Sequence, residues 1–409
     1  MKCRHCGSEV SLPLVDLGSA PPSNAYLTEE SLRCMEKWYP LKVMVCTECW
    51  LAQTEDTAGA DELFDANYAY FSSYSSTWLR HAEQYVVDMQ IRFGLDAKSH
   101  VVEIAANDGY LLQYVKARGI PCLGVEPTAS TADAARAKGL DVLEKFFGVA
   151  AAREMVCSGH RADLMIANNV LAHVPDINDF VSGFCELLKP SGVATFEFPH
   201  LLRLMEDCQF DTVYHEHFSY LSLTAVNGIL RHSGLSVFDV HPLNTHGGSL
   251  RVFAQRKDTG VQEILPSVSE MLAREEAFGL TSKVFYASFQ QRTEKVKNSF
   301  LQFLLASKEK GAKVVAYGAA AKGNTLLNYA GVRPDLLSWV VDRNPSKRGK
   351  FLPGSRIPIV GEECLRNHRP DFVVILPWNL KDEVKSQLNY IREWGGKFVT
   401  VVPDLKVEQ

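Results

Sequence analysis

Short apolar runs alternate with amphipathic stretches from about residue 98 onward. The apolar runs HVVEIA, CLGVEP, ADLMIANN and VATFEFP are separated by helical patterns that include YLLQYVKARG and ASTADAARAKG. Both of these helical patterns close on a glycine, a residue that commonly follows the last turn of a helix. Strands that alternate with helices in this way predict a doubly wound α/β domain with a mainly parallel sheet.

The same order of strand, small-residue loop and helix returns near the C-terminus. The segment AKVVAYGAAAKGNTLLNYAG is followed by LLSWVVDRN, a second strand that ends in Asp342. Residues 257 to 310, which precede this unit, are polar with helical periodicity and predict one or two connecting helices. We therefore predict an α/β protein with two Rossmann-like units, and a second unit that binds no ligand is the alternative.

Length and charge narrow the class of protein. A chain of 409 residues is expected to hold two or three domains. The net charge of -5 gives no reason to expect a nucleic-acid partner, since such domains are usually basic. No apolar run is long enough to span a membrane, and the N-terminus MKCRHCGSEV lacks the apolar core of a secretory signal. We expect a cytoplasmic protein without a membrane partner, and a monomer as its default state.

Two Cys-x-x-C pairs near the N-terminus predict a structural zinc site. Each pair lets two thiolates reach one face of a tight turn, and two such turns supply the four ligands of a tetrahedral site. Four ligands also leave no open position for catalysis. Cys34 and His5 are weaker candidates, and two accidental or redox-active pairs are the alternative. The predicted ligands are Cys3, Cys6, Cys46 and Cys49.

The loop after the first predicted strand, Glu103 to Gly109, could bring a ligand close to backbone N–H groups. The second strand ends in Glu126, where a carboxylate can accept hydrogen bonds from two ribose hydroxyls. A solvated acid at a strand end is the simpler alternative. Ala105 and Ala106 stand where the glycines of a dinucleotide site would be. The loop instead resembles motif I of class I S-adenosylmethionine methyltransferases, in the form V-E-I-A-x-N-D-G.

The stretch DTVYHEHFSY, residues 211 to 220, concentrates groups capable of several kinds of chemistry. His-x-His could hold a transition metal, whereas Glu-His could be a general base beside a carboxylate. Spacing alone leaves both options open, together with that of a crowded loop. On an extended segment His215 and His217 would share a face, and on a helix they would not.

Several motifs in order resemble the sugar C-methyltransferase family of deoxysugar biosynthesis. They are the Cys-x-x-C pairs, VEIAANDGYLL, IANNVLAHVPD, FEFPHLL, YHEHFSY, HGGSLRVF, YGAAAKGNTLLNY and VVDRNPSKRGKFLPG. The resemblance covers essentially the whole chain. It implies a zinc-binding domain over 1–65, a Rossmann-like class I methyltransferase domain over 66–256 and a Rossmann-like nucleotide-sugar domain over 257–409. It also implies that S-adenosylmethionine methylates C3 of a nucleotide-linked 4-keto-6-deoxysugar, with thymidine diphosphate as the nucleotide.

The family's reaction needs an activated carbon, because carbon is a poor nucleophile. A 4-keto group acidifies the C3–H bond, so the enzyme needs a base for that proton and donors for the enolate oxygen. The resemblance makes His217 the base, and its implied neighbours are Glu216, Tyr214, Tyr68 and His173. Tyr68 and His173 could exchange their roles as enolate donor and substrate clamp. His246, beside two glycines in THGGSLRVF, is a further candidate.

Two sets of binding residues complete the expectations. The methyl-donor set is Glu103, Ala105, Asn107, Asp108, Gly109, Glu126, Asn168 and Asn169. The nucleotide set, at the start of the C-terminal unit, is Gly318, Lys322, Gly323, Asn324 and Asp342, where a helix N-terminus and a lysine suit a diphosphate. The basic run Arg343, Lys347, Arg348 and Lys350 is typical of a solvated turn.

Two other functions would fit parts of the sequence. An O- or N-methyltransferase for a sugar or another small molecule would need no enolate. A zinc-ribbon binding protein with a vestigial methyltransferase fold would need no catalytic base, but the acidic balance of the chain argues against nucleic acid as its ligand.

Overall fold

The computed structural model describes residues 1–55 and 71–408. Within these ranges the strands form a four-stranded, a seven-stranded and a six-stranded sheet. None of the helices in the described ranges combines the length and the apolar character needed to cross a membrane.

The N-terminal sheet is antiparallel and has the order β1-β2-β3-β9. Its strands are β1 (Leu12–Ala20), β2 (Tyr39–Val45), β3 (Ala52–Thr54) and β9 (Ser219–Tyr220). The second cysteine pair lies in the turn between β2 and β3. Because β9 follows the Tyr-His-Glu-His-Phe stretch directly, the zinc-binding segment and that stretch belong to one sheet.

The central sheet has the order β10-β11-β8-β7-β4-β5-β6, in which six strands run in one direction and β11 runs in the opposite direction. Its strands are β4 (Val101–Ile104), β5 (Cys122–Val125), β6 (Val142–Leu143), β7 (Ala162–Asn168), β8 (Leu188–Pro199), β10 (Leu235–Leu243) and β11 (Ser249–Arg256). The four predicted apolar runs are β4, β5, β7 and β8. Strand order reverses at β4, whose neighbours are β5 and β7, and such a reversal opens a crevice at the carboxyl ends of the strands.

Helices flank the central sheet. They are α1 (Ser76–Phe93), α2 (Leu112–Ala117), α3 (Ala129–Ala137), α4 (Val149–Cys157), α5 (Ile177–Leu187), α6 (Leu201–Glu206) and α7 (Leu223–His232). The two glycines predicted to follow helices do so after α2 and α3, with φ of 70° at Gly119 and 77° at Gly139. The doubly wound α/β prediction is therefore confirmed for this segment.

The C-terminal sheet has the order β14-β13-β12-β15-β16-β17, parallel except for β17. Its strands are β12 (Val314–Tyr317), β13 (Val340–Val341), β14 (Ile359–Val360), β15 (Phe372–Ile375), β16 (Lys397–Thr400) and β17 (Lys406–Glu408). Its order reverses at β12, between β13 and β15. The second Rossmann-like unit thus has a crevice of its own, as the repeated sequence pattern predicted.

The connecting segment forms three helices rather than the one or two that we predicted. They are α8 (Pro266–Phe278), α9 (Lys283–Ala287) and α10 (Phe289–Glu309). Gly279 ends α8 with a φ of 96°, and this break divides the periodic polar stretch. The remaining helices are α11 (Ala321–Tyr329), α12 (Glu363–His368) and α13 (Lys381–Gln387).

Buried apolar residues join the three sheets. Val15 and Val43 of the N-terminal sheet share a core cluster with Phe300 of α10 and Val314 of β12. Cys3 and Cys46 pack in the same cluster as the central sheet and α7. Because burial of apolar side chains is the main stabilising contribution, these shared clusters fix the sheets relative to one another.

Candidate active site

The four predicted zinc ligands converge. Their sulfur atoms all lie within 4.8 Å of one another, and they form the group of candidate metal ligands that the described residues contain. The Sγ atoms of Cys3 and Cys49 are 3.5 Å apart, as are those of Cys6 and Cys46. A tetrahedral site with Zn–S bonds of about 2.3 Å separates its sulfurs by about 3.8 Å, so these four thiols fit a zinc ion.

A cavity of about 180 Å³ opens where the order of the central sheet reverses, and we call it the switch-point cavity. It lies at the carboxyl ends of β4, β5 and β7. The predicted methyl-donor residues that line it are Ala105, Asn107, Glu126, Asn168 and Asn169. Five of the residues predicted to bind the methyl donor therefore lie together around one cavity.

Left-handed backbone conformations cluster around the switch-point cavity. Ala105, Asn107, Asn169 and His246 all line it, and their φ values are 57°, 50°, 54° and 54°. This conformation costs a residue other than glycine roughly 1–2 kcal/mol. Four such residues at one cavity indicate that its loops are shaped for a ligand, because strain of this kind is concentrated at functional sites.

Two backbone N–H groups orient the carboxylate of Glu126. Its Oε2 accepts a hydrogen bond of 3.0 Å from the backbone N–H of Asn107, and its Oε1 accepts one of 3.0 Å from that of Thr128. Burial raises the pKa of the Glu126 carboxyl, although these N–H groups oppose the change. The carboxylate faces the cavity in a fixed orientation, which suits an acceptor for two hydroxyl groups.

Three other predicted methyl-donor residues lie behind the lining. Glu103 is buried, and burial raises its pKa well above the usual range, with Asp108 and Glu126 adding to the effect. The Oδ2 of Asp108 accepts a hydrogen bond of 3.3 Å from the N–H of Ser73. Gly109 has a φ of 73°, and a Cβ there would lie 2.3 Å from Leu140 and 3.3 Å from Ala135 of α3, so this glycine allows α3 and the residues after it to pack closely. These positions support the loop from beneath.

The Tyr-His-Glu-His stretch forms a turn that fixes the hydrogen on His217. The Nδ1–H of His217 donates to the carbonyl of Thr212 at 2.9 Å, which leaves Nε2 as the basic nitrogen. The Tyr214 hydroxyl donates to that Nε2 at 2.7 Å. Burial holds the pKa of His217 well below its usual range, and His173 lowers it further. His217 is therefore neutral and able to accept a proton at Nε2.

The flanking residues of the turn have different partners. Both Glu216 oxygens accept hydrogen bonds from the amide of Asn24, at 2.8 and 2.7 Å. The Nε2 of His215 lies 3.3 Å from the carbonyl of Tyr39 and 3.2 Å from that of Pro40, in the N-terminal sheet. Since His215 and His217 serve separate partners, the turn is not arranged as a His-x-His metal site.

His173 connects the switch-point cavity to the base. It lines the cavity, and its ring centroid lies 4.6 Å from that of His217 in an edge-to-face arrangement. Burial lowers the pKa of His173 to about 4, so it too is neutral near pH 7. Tyr68, the remaining predicted catalytic residue, lies outside the described residues.

The loop after β12 is held by its own side chains. Asp342 Oδ2 accepts a hydrogen bond of 2.8 Å from the N–H of Ala319, and Asn324 Nδ2 donates to the carbonyl of Ser23 at 2.5 Å. A Cβ at Gly318 would lie 2.5 Å from Pro377, and one at Gly323 would lie 2.6 Å from Leu376. Four of the five predicted nucleotide residues thus shape the crevice of the C-terminal sheet, and the fifth, Lys322, contacts Trp378 and Asn379.

Family models divide the chain into three parts. A zinc binding domain model matches residues 3–64, a methyltransferase domain model matches 78–240 and a C-methyltransferase C-terminal domain model matches 244–403. The C-methyltransferase NovU of Streptomyces niveus is 34% identical over 407 residues, which cover 99% of this chain and 96% of that one. The chain belongs to the C-methyltransferase family. It is an S-adenosylmethionine-dependent enzyme with a zinc-binding segment at its N-terminus.

Two solved structures are also similar to this chain. One is magnesium protoporphyrin IX methyltransferase of Synechocystis PCC 6803, 14% identical, with a TM-score of 0.33, covering 44% of this chain and 79% of that one. The other is an S-adenosylmethionine-dependent methyltransferase from Clostridium acetobutylicum, 10% identical, with a TM-score of 0.34, covering 44% and 92%.

The sequence did not predict a role for one buried acid near the switch-point cavity of this enzyme. Glu197, in β8, accepts hydrogen bonds from His81 at 2.9 Å, from Arg251 at 3.0 Å and from the Thr245 hydroxyl at 3.1 Å. Burial opposes its charge, yet His81 and Arg251 lower the pKa of Glu197 overall. The sequence shows Glu197 only as an acid within the apolar run VATFEFP. It could not pair Glu197 with His81, 116 positions earlier, or with Arg251, 54 positions later.

His246 is positioned by contacts with Asn169 and Trp78. The Nδ2 of Asn169 lies 3.2 Å from its Nε2, and the Trp78 ring packs edge-on with centroids 5.0 Å apart. Trp78 in turn stacks on His81, with centroids 4.9 Å apart, which links His246 to the Glu197 cluster. The sequence marked His246 only by its neighbouring glycines. Its aromatic neighbour, Trp78, belongs to α1, more than 160 residues earlier in the chain.

Proposed function

We propose that this enzyme transfers a methyl group from S-adenosylmethionine to C3 of a nucleotide-linked 4-keto-6-deoxysugar, through an enolate. The nucleotide that we propose is thymidine diphosphate, by the resemblance of the ordered motifs. The observation that carries the proposal is the neutral His217. Its Nδ1–H is fixed on the Thr212 carbonyl, and its ring packs against His173, which lines the switch-point cavity. A base beside a methyl-donor cavity is what methylation of carbon requires.

His217 removes the C3 proton in the proposed reaction. When substrate enters, its C3–H replaces the Tyr214 hydroxyl as the partner of Nε2, and the Thr212 carbonyl stabilises the imidazolium through Nδ1–H. S-adenosylmethionine, when bound, supplies an electrophilic methyl group. The residues that line the switch-point cavity would hold the donor beside the His173 and His217 pair, and such positioning lowers the barrier by avoiding an entropic cost at the reacting step.

We assign the donor's parts to the lining of the switch-point cavity. Glu126 accepts the ribose hydroxyls, because its carboxylate is held in place by the Asn107 and Thr128 N–H groups. Asn168 and Asn169 lie at the end of β7 and serve the opposite wall. Glu103, Asp108 and Gly109 maintain the loop from behind.

We place the nucleotide beside the C-terminal sheet, next to the loop that carries Gly318, Gly323, Asn324 and Asp342. A polar cleft of about 600 Å³ lies between the central and C-terminal sheets, and its lining residues Trp378 and Asn379 contact Lys322 at the start of α11. Its cationic and aromatic lining suits a base and a diphosphate: Arg203, Arg274, Trp378, Lys381 and Lys406. We call it the polar cleft below.

Hydrogen exchange at C3 tests the proposal. The enzyme is incubated with a dTDP-linked 4-keto-6-deoxyhexose in heavy water without methyl donor, and the C3 proton is followed by NMR. We expect deuterium to enter C3, and His217→Ala to slow this exchange by about 10²-fold or more, the usual contribution of a positioned base.

His215→Ala is the matched control, because His215 contacts the N-terminal sheet and not His217. It should retain exchange. An O- or N-methyltransferase would show methyl transfer with no exchange at C3, and that result would overturn the proposal. Exchange that survives His217→Ala would overturn the assignment of the base.

A further inference from the structure

Lys322 is connected to both cavities through the residues that it contacts. It occupies the first turn of α11, just after the crevice of the C-terminal sheet. Its contacts Trp378 and Asn379 line the polar cleft. On the other side Trp378 rests on Gly247, where a Cβ would lie 2.4 Å from the indole, and Gly247 adjoins His246 of the switch-point cavity. Through Trp378, Lys322 therefore adjoins the place where the two cavities approach each other.

Among residues 1–55 and 71–408, the ammonium group of Lys322 has polar partners and forms no ion pair within contact distance. Its Nζ donates to Asn379 Oδ1 at 3.0 Å and lies 4.7 Å from the centroid of the Trp378 ring. The nearby carboxylate is Asp211, whose Oδ2 accepts the Trp378 indole N–H at 2.7 Å. Two of the three Lys322 N–H directions are thus occupied by neutral groups, and the charge is available to a ligand.

Two other cations of this region are already engaged. Lys347 donates to the Ala319 carbonyl at 2.8 Å and lies 4.0 Å from Asp342. Arg203 forms ion pairs of 2.8 Å with both Glu206 and Asp207. These contacts make Lys347 and Arg203 less available to a substrate oxygen than Lys322 is.

The charge of Lys322 reaches the catalytic groups. It lowers the pKa of both His217 and His246, after the larger effect of burial in each. Burial lowers the pKa of Lys322 itself, and Asp211 opposes this. The helix that carries Lys322 also contacts the segment before His217, because the Thr325 hydroxyl donates to the Val213 carbonyl at 2.8 Å. A group that stabilises the enolate must share the base's surroundings in this way.

We propose that Lys322 is a catalytic residue that donates a hydrogen bond from Nζ to the C4 oxygen of the substrate as the enolate forms. This inference rests on the proposed function. The C3–H electron pair becomes the C3=C4 bond, the carbonyl π pair moves to oxygen and the proton goes to His217. Lys322 keeps its own proton and stabilises the oxygen's charge. Asp211, Trp378 and Asn379 position the ammonium group.

The test separates binding from enolisation. C3 exchange of the dTDP-linked 4-keto-6-deoxyhexose in heavy water and the Kd of dTDP alone are measured for Lys322→Met and the wild type. We expect exchange to fall by about 10²-fold or more, as for loss of one oxyanion donor, while the Kd of dTDP changes by less than about threefold. Lys310→Met, the same change on the exposed end of α10, should leave both unchanged.

Each other outcome is decisive. Full exchange in Lys322→Met overturns the proposal, and so does loss of dTDP binding with thermal stabilisation by S-adenosylhomocysteine intact, since Lys322 would then be a diphosphate ligand. If Lys322→Met does not fold, Lys322→Gln, whose amide can still reach Asn379, is judged by the same criteria. Absence of exchange in the wild type with dTDP bound would instead contradict the proposed function.

Discussion

The hydrogen on Nδ1 of His217 decides which way the ring can act. The Thr212 carbonyl fixes that hydrogen, so the lone pair on Nε2 points toward the half-buried Tyr214. The sequence named His217 by residue type and motif. It could not show the tautomer, because that depends on a carbonyl five residues earlier which folds back only in this turn.

The buried position of His217 predicts the acid limb of the pH profile. The base is active when neutral, and a pKa held below the usual 6.5 keeps it neutral to lower pH. C3 exchange, measured as kcat/KM from pH 5 to 9, should therefore remain level as pH falls through 6.5 and decline only below it. An acid limb at or above pH 6.5 would contradict this.

The substitution Tyr214→Phe tests whether the Tyr214 hydroxyl lowers the pKa of His217. The Tyr214 hydroxyl donates to the lone pair of neutral His217, and a hydrogen bond to the neutral form disfavours protonation. Its removal should move the acid limb to higher pH. A shift to lower pH, or none, would show that the hydroxyl does not hold Nε2 in solution.

At the scale of elements, the turn at His246 to Gly248 joins the two cavities. Gly247 has a φ of 91°, and a Cβ there would lie 2.4 Å from Trp378. Gly247→Ala should push Trp378 away from Lys322 as well as straining the backbone. We expect a loss of about 2–4 kcal/mol in unfolding free energy, from left-handed strain and overpacking together, and a loss of C3 exchange.

Gly395→Ala is the matched control for this change. Gly395 also has a positive φ, of 82°, but a Cβ there would meet no atom within 4 Å. It should cost only the backbone strain of roughly 1–2 kcal/mol in urea unfolding and leave exchange intact. Equal effects of the two substitutions on exchange would show that the contact with Trp378 has no role in catalysis.

The sequence predicted elements well where periodicity is local. The strands around Val101, Leu123, Met165 and Phe196 follow from apolar runs, and Gly119 and Gly139 end their helices as expected. It could not predict β9, because two residues gain a strand conformation only by pairing with β3 across more than 160 positions. The break at Gly279 was missed because amphipathic periodicity continues on both sides of it.

At the scale of the whole molecule, the zinc-binding segment supports the active site. Arg4 donates to the carbonyls of Pro175, at 3.2 Å, and Thr54, at 2.8 Å. His5 and Asn178 exchange two hydrogen bonds of 2.8 Å. These contacts hold the loop that carries His173. The sequence placed the cysteines correctly, but it gave no sign that the residues between them would clamp this loop.

Loss of a cysteine ligand should therefore affect methyl-donor binding as well as metal content. Cys46→Ser should lower zinc below one ion per chain and destabilise the fold, on the order of several kcal/mol. It should also reduce thermal stabilisation by S-adenosylhomocysteine, because the His173 loop loses its support. Cys34→Ser, at an exposed cysteine outside the cluster, should change neither. Full metal content in Cys46→Ser would contradict the assigned ligands.

The position of the new methyl group tests the central claim most directly. The enzyme is incubated with S-adenosylmethionine that carries a ¹³C methyl group and with a dTDP-linked 4-keto-6-deoxyhexose enriched in ¹³C at C3, and the product is examined by NMR. A one-bond carbon–carbon coupling between the methyl group and C3 is the predicted result. A methyl signal without that coupling, at the shift of a methyl ether or an N-methyl group, would contradict methylation of C3 through an enolate.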